Sequence, residues 1–434
     1  MGTLSLTGGT VLLPDLTVER ADILADTETG TITAVGDPNE IETRDVDEKL
    51  DATDGLVIPG LINAHTHVAM TLFRGAADDK ELDTWLREDI WPVEAALTAE
   101  DVRAGTALGL AEMIRSGTTA FADMYFFMPE VADVAAASGM RARLGHGCIT
   151  EGKDEDASHA EFEDGLAFAR EHDGRADGRI RTMFTPHSLT TVDEAFYREY
   201  LPLAHEEGIP VHIHANETTN EVTPIVEERG VRPLEYADDL GLLTEDAFLA
   251  HGVHVDASER ELLAERGTSV VHCPASNMKL ASGMAPIQAM HDAGVTVGLG
   301  TDGAGSNNDL DMFDEMRDAA MIGKLATDDP TAVPAPDVVE MATRAGAEIL
   351  GFDSGQIAVG ANADFAVLDL DVPHLTPPHD LVSHLVYAAR GSDVRHTVCD
   401  GQVLMREREL QTFDLEMVMD AARKQATELF ERAK

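Results

Sequence analysis

Apolar and polar residues alternate in short runs from residue 1 to about residue 58. The runs include Thr10-Val-Leu-Leu13, Ala21-Asp-Ile-Leu24 and Gly30-Thr-Ile-Thr-Ala-Val-Gly36, each bounded by glycine or turn residues. Alternation of period two with such punctuation predicts a small β unit. From about residue 56 the rhythm becomes apolar strand, loop, helix-length segment, and it repeats. Eight strand candidates follow, at 56–64, 118–124, 141–148, 181–185, 210–215, 248–252, 269–273 and 295–300, with helical spacing between them, as at 100–116 and 286–293. Strands alternating with helices predict a parallel sheet, and eight of them a closed (β/α)8 barrel of the TIM type. An open doubly wound sheet is the alternative, but no Gly-x-Gly-x-x-Gly fingerprint follows the first strand. β character returns after Leu350, at 355–369 and 397–404, so both chain ends are expected to build one β-sandwich. The tail, 413–434, has helical spacing and is expected to pack on the outside. The expected class is α/β: residues 1–57 as the first part of the sandwich, 58–352 as the barrel, and 353–434 as the second part with a C-terminal helix.

Charge changes this picture most. The chain carries 80 acidic residues against 32 basic ones, a net charge of -48, and only seven of the basic residues are lysine. Such a surface repels nucleic acid and anionic membrane, so neither is an expected partner. High net charge is also a mark of disorder, but a hydrophobic content of 44% is that of a globular protein. The acid is spread along the whole chain, as expected of a folded, halophilic surface suited to molar salt, where screening lengths fall to about 3 Å. Cys148, Cys273 and Cys399 are odd in number and far apart, which fits a reducing cytoplasm better than a disulfide framework. No run approaches the roughly 20 apolar residues of a membrane-spanning helix, and the N-terminus lacks the features of a signal peptide. No motif specifies or forbids a homo-oligomer.

Barrel active sites lie at the C-terminal ends of the strands, so polar residues ending the strand candidates should converge. The first candidate ends in His65 and His67, two apart, so both imidazoles leave an extended chain on one side. The fifth carries His212 and His214, with Glu217 in the following turn; the sixth ends in Ala250-His251-Gly252; the eighth ends in Thr301-Asp302-Gly303. Any one of these alone is more often a capped strand or a turn. Gathered at one barrel mouth, imidazoles and a carboxylate suit a borderline divalent metal such as zinc.

Gly-Leu-Ile-Asn-Ala-His65-Thr-His67, His-Ala-Asn-Glu217, Ala-His251-Gly, Cys-Pro-Ala-Ser276-Asn-Met-Lys279-Leu and Gly-Thr-Asp302-Gly-Ala-Gly-Ser-Asn resemble the amidohydrolase superfamily. More closely, they are similar to its methylthioadenosine/S-adenosylhomocysteine deaminase branch, from the N-terminal strands to about residue 405. The resemblance implies a hydrolytic deaminase of adenine nucleosides with a modified 5′ position, a small-molecule substrate, and a metal held by His65, His67, His214 and Asp302. Binuclear members place a carboxylated lysine at the end of strand four; here that strand reads Arg181-Thr-Met-Phe-Thr-Pro-His187, which implies one metal per chain, zinc by preference. His212 and His272 are expected to back the ligands rather than bind, and His374 and His396 to be surface or packing residues. A metal lowers the pKa of water toward 7, and Asp302 can both ligate and accept the proton. By resemblance Glu217 is the proton shuttle to the ring nitrogen and His251 orients the nucleophile. Glu94 matches a ribose-binding residue, His187 one that contacts the nucleoside, and Trp85 is a candidate wall of the pocket. Members that bind a homocysteine tail carry two arginines after strand three; none occurs here between Gly145 and Glu163. Two other readings stay open: a guanine- or triazine-directed amidohydrolase, and a non-enzymatic scaffold on the same fold.

Overall fold

The computed structural model describes residues 2–41 and 46–434. Two sheets hold the parallel strands. In one, Thr118–Tyr125 lies between Leu61–Thr66 and Arg141–Cys148, and Ile180–Thr182 and Thr185–Pro186 both pair with Arg141–Cys148. In the other, His212–Ala215, Phe248–His251, Ser269–His272 and Val297–Leu299 follow one another. Parallel bridges from Phe184 to Val211 and from Ser188 to His214 join the sheets on one side. On the other side the Asp302 amide donates to the His65 carbonyl at 3.0 Å. Gly300 permits that approach, since a Cβ there would stand 2.8 Å from the His65 nitrogen.

These strands are apolar on both faces, which is why they read as continuous hydrophobic runs. Ile62, Ala64, Ala120, Ala122, Met183 and Phe248 share an inner core, while Leu61, Phe121, Ala142 and Leu144 pack under the helices. The helices start where acidic or hydroxyl side chains cap them: Thr98 and Asp101 form a capping box on Ala99–Arg115, and Asp256 and Glu259 form one on Ala257–Arg266. Those caps fix where each helix leaves its strand, and so where the strand-end loops lie.

Two further sheets come from the chain ends. One has the order Thr31–Gly36, Asp22–Asp26, Thr3–Thr7, Glu48–Asp51. The other runs Glu409–Leu410, Gln402–Arg406, Val394–Cys399, Phe365–Asp369, Gly55–Pro59, Thr10–Leu12, Val18–Arg20. Leu4, Leu6, Ile23, Val57, Phe365 and Val398 from both sheets are buried in one cluster.

Several expectations need correction. The first strand candidate is two strands: Gly55–Pro59 pairs antiparallel with Phe365–Asp369, and only Leu61–Thr66 joins the parallel set. Pro59 and Gly60 break the run, because proline has no N–H to continue a ladder. The 397–404 candidate is likewise two strands, Val394–Cys399 and Gln402–Arg406, turned at Asp400 and Gly401. Of 355–369 only Phe365–Asp369 is strand. Strands Thr3–Thr7, Val18–Arg20 and Glu48–Asp51 were not foreseen. The tail forms a helix, Leu415–Arg432, whose Phe430 meets Phe73 at 5.9 Å between ring centroids. The three cysteines are free and buried, and no helix among the described residues is long and apolar enough to cross a membrane.

Candidate metal and catalytic site

The polar residues ending the parallel strands meet in one place. His65 and His67 arrive on Leu61–Thr66 and the turn after it, His214 on His212–Ala215, His251 on Phe248–His251, and Asp302 just past Val297–Leu299. Three of these turns require unusual backbone: Asn216 has φ 53°, His251 75° and Asp302 61°. Left-handed conformations in non-glycine residues cost of order 1–3 kcal/mol each and persist where surroundings hold them. Here the holders are visible. Asn216 Nδ2 donates to both Glu259 oxygens at 3.1 and 3.0 Å, His251 Nδ1 meets Asn277 Oδ1 at 3.0 Å, and Ser276 and Ser306 hydroxyls each donate to Asp302 Oδ2 at 2.7 Å.

The ring protons can be assigned from these partners. The Phe248 carbonyl can only accept, so His212 Nδ1, at 2.9 Å, carries its proton; burial keeps that ring neutral, its pKa well below the ordinary value. His212 Nε2 then accepts from His65 Nδ1 at 2.8 Å, which leaves the His65 Nε2 lone pair free. His67 Nδ1 donates to the Met124 carbonyl at 2.6 Å and His214 Nδ1 to the His187 carbonyl at 2.9 Å. Three Nε2 lone pairs therefore face one another. His67 and His214 Nε2 stand 3.2 Å apart, and Asp302 Oδ1 lies 3.2 Å from His67 Nε2 and 3.5 Å from His65 Nε2.

Electrostatics agree with that geometry. Burial lowers the His65 pKa to about 4, and burial pushes His214 well below its usual range. At His67 burial also disfavours charge, but Asp302 outweighs it and raises the pKa to about 9. The pocket thus prefers one positive charge where the lone pairs and the carboxylate converge. His65 Nε2 is moreover buried with no hydrogen-bond partner. Three imidazole nitrogens and one carboxylate oxygen fit a divalent cation of zinc type, with the Nδ1 contacts as the orienting hydrogen bonds usual behind metal-bound histidines.

Beside this cluster, Glu217 Oε2 is 3.6 Å from His251 Nε2, and Ser282 donates to Glu217 Oε1 at 3.3 Å. Burial raises the Glu217 pKa, with His251 opposing. These groups open into a cavity of about 560 Å³ that also carries Trp85, Glu94, His187 and Tyr125 on its walls. Tyr125 donates to Glu94 at 2.8 Å, and burial raises the Glu94 pKa against that bond. His187 Nδ1 meets Thr191 at 2.8 Å; burial first, then neighbouring histidines, lower its pKa to about 3. Seven of the eight residues singled out from the sequence as ligands, acid–base groups or substrate contacts thus line one cavity, and the eighth, His65, is buried behind them with its Nε2 3.5 Å from Asp302. His272 does not join them by hydrogen bond: both of its ring nitrogens are buried without partners. His374 pairs with Asp393 at 2.8 Å, remote from the site in sequence and contact.

Sequence reasoning missed the supports. Ser276 and Asn277 were inside a quoted motif but carried no role, Tyr125 sits one residue past its strand candidate, and Asp123 holds the Val68 amide at 2.8 Å and the Thr66 hydroxyl at 3.2 Å. Two cations that lie far in sequence from the segment after strand three, Arg87 and Arg229, also line the cavity.

A parallel α/β fold with acid–base groups and imidazoles at its strand ends is the architecture of a hydrolase site. The chain belongs to the amidohydrolase family, whose profile matches residues 56–404. It is 66% identical, over the whole length of both chains, to a 5-methylthioadenosine/S-adenosylhomocysteine deaminase of Haloarcula marismortui. It is 47% identical to a 5′-deoxyadenosine deaminase of Methanosarcina mazei, over 93% of each chain. Among solved structures, a zinc-bound adenosine deaminase of Xanthomonas campestris superposes with a TM-score of 0.93 at 37% identity, covering 99% of this chain and 98% of that one.

Proposed function

We propose that this chain is a metal-dependent deaminase that converts adenine nucleosides with a modified 5′ position to their inosine analogues and ammonia. The reading rests on one juxtaposition: Glu217 and His251, 3.6 Å apart, border the same cavity as Asp302, His67 and His214, with His65 buried against Asp302. The substrate class is supported by the relatives named above, whose likeness spans nearly the whole chain.

His65, His67, His214 and Asp302 would hold one divalent metal, zinc by preference, and no lysine stands at the end of the fourth strand to bridge a second. The metal supplies acidification of the attacking water and polarisation at the reacting carbon. Asp302 Oδ2 accepts from Ser276 and Ser306, so Oδ1, the oxygen facing His65 and His67, would both bind the metal and take the proton of that water. Glu217, protonated to a higher pH than an exposed carboxyl, delivers a proton to the ring nitrogen, which makes the adjacent carbon electrophilic. His251, fixed by Asn277, orients the nucleophile, and Glu94 and His187 would bind the ribose and the nucleoside. On collapse of the adduct the proton held by Asp302 passes to the amine, which leaves as ammonia, and the hydroxyl proton returns to Glu217, so both carboxyls regain their starting states.

The same proposal includes the architecture. The two parallel sheets form one closed (β/α)8 barrel over 58–352, and 1–57 with 353–434 build a β-sandwich and an outer helix. The protein works in a salt-rich cytoplasm on a small nucleoside, and its charge leaves no role for nucleic acid or anionic membrane.

Ammonia release tests the function. Turnover is expected on 5′-deoxyadenosine, 5′-methylthioadenosine or S-adenosylhomocysteine and not on guanine or a chlorotriazine. Release from the latter pair alone would overturn the substrate class, and release from none would favour a scaffold.

A further inference from the structure

At the opposite, N-terminal ends of the parallel strands, four arginines lie close together, and they are not treated alike. Arg141 is paired with Asp364 at 2.7 Å and with Asp400 at 2.8 Å, and Arg179 with Asp400 at 3.5 Å. Arg143 and Arg181 are cross-strand partners in the parallel register between Arg141–Cys148 and Ile180–Thr182. Neither makes an ion pair or a side-chain hydrogen bond among the described residues. Arg143 is 7% exposed, and its Nε is buried without a partner.

The two guanidinium groups converge. A Cβ at Gly351 would stand 2.9 Å from Arg143 Nη2 and 3.0 Å from Arg181 Nη1, so both cations reach the one face of the chain that carries no side chain. Arg181 also lies over the Phe352 ring, at 5.1 Å. Like charges so placed repel: burial, then Arg181, lowers the Arg143 pKa to about 10. The acids that act on Arg143 from a distance, Asp173 and Asp246, are exposed, and Asp173 already accepts from the Thr182 amide at 3.1 Å. The carbonyl end of the short helix Gly346–Leu350, just before Gly351, offers only partial charge, at most about half an elementary unit. In a chain with 80 acids and 32 basic residues, two facing arginines without a carboxylate are the reverse of what composition supplies.

We propose that Arg143 and Arg181 form a binding site for a small inorganic anion, a halide or an oxyanion such as phosphate, which bridges the two guanidinium groups beside Gly351. A planar fork of donors on each side suits such a ligand, and the anion replaces the missing carboxylate. Occupancy would then tie Arg141–Cys148 to Ile180–Thr182 and to Gly351. This site is independent of the deaminase reading, since neither arginine borders the catalytic cavity.

The test is thermal melting of the full chain at constant high ionic strength, with sodium gluconate replaced stepwise by chloride or by phosphate. Wild-type protein should gain a saturable rise of about 2–4 °C, as expected for a ligand that binds only the folded state. The rise should vanish in Arg181→Gln. In gluconate alone Arg181→Gln should melt at or above wild type, because a repulsion has been removed. A response to chloride identifies a halide, and a response to phosphate at far lower concentration an oxyanion. An equal rise in both proteins, no rise in wild type, or a variant that melts well below wild type in gluconate would overturn the proposal. Arg181 is half-buried, so its replacement does not put folding at risk as Arg143→Gln would.

Discussion

Glu217 is a buried carboxyl between Ser282 and His251. Glutamine keeps its shape and its hydrogen bonds but cannot carry a proton to the ring. Glu217→Gln should therefore retain about one zinc-like ion per chain by elemental analysis while kcat falls by about two orders of magnitude or more. Near-normal turnover would remove the shuttle role, and two ions per chain the mononuclear one. Four residues on, Glu221 is half-buried, its Oε2 accepts from the Glu217 amide at 2.9 Å, and its Oε1 is buried without a partner. Burial raises its pKa from 4.5 to about 8. A raised carboxyl binds a proton more tightly folded than unfolded, so its contribution is full below pH 4.5 and is lost as pH rises toward 8. Glu221→Gln should accordingly raise the melting temperature at pH 8.5 and leave it nearly unchanged at pH 4.5, measured in molar salt; an equal shift at both values would assign the effect to packing. At this scale the sequence was informative where a side chain ends a strand, because period two fixes which residues share a face. It was silent on Ser276 and Ser306 at Asp302 and on Tyr125 at Glu94, since those contacts depend on which loops the fold brings together.

The loop elements around the cavity bear on the 5′ group. Beyond Glu94 and Trp91 the cavity continues into a second space of about 970 Å³ walled by Leu97, Phe126, Ile149 and Phe168. Its lysine, Lys153, is bound to Glu161, and its His146 is held neutral, since burial lowers the pKa to about 4. Arg229 is engaged with Glu194 at 2.7 Å and stacked on Tyr236, and Arg87 is 3.7 Å from Glu151. A homocysteine carboxylate needs a free cation, for which a forked arginine is best, whereas a methyl or methylthio group needs only apolar wall. We expect kcat/KM for 5′-methylthioadenosine or 5′-deoxyadenosine to exceed that for S-adenosylhomocysteine by about tenfold, the worth of one charge-assisted hydrogen bond. Competition between the two substrate types in one assay measures it. If the homocysteine compound wins, Arg87→Gln should reverse the order, because Arg87 lies 3.7 Å from the Glu151 carboxylate and is less committed than Arg229, 2.7 Å from Glu194. Arg87 and Arg229 were not legible in the sequence, because they lie outside the segment after strand three and reach the cavity from other elements.

For the whole molecule, the repeating strand–helix rhythm was legible because each unit is local. The pairing of Gly55–Pro59 with Phe365–Asp369 was not, because no local pattern encodes a contact across most of the chain. Net charge was legible at once and has a consequence for stability. With -48 charges on one folded chain, self-repulsion favours the expanded state, and only counterions screen it. Ion pairs such as Arg103 with Asp133, at 3.4 Å, and Arg170 with Glu207, at 2.6 Å, are exposed and worth little each. Thirty-two basic residues could not offset the acids even if all were paired. The Debye length grows from about 3 Å at 1 M to about 10 Å at 0.1 M, so dilution lets neighbouring surface carboxylates act on one another. Melting temperature should fall by about 10 °C or more between 3 M and 0.1 M salt. This screening depends on ionic strength and not on the anion, so gluconate and chloride should protect Arg181→Gln equally. That equality separates the general effect from the anion site at Arg143 and Arg181, where wild type alone should distinguish the two salts. A melting temperature that does not move between molar and dilute salt would contradict the high-salt reading of the surface.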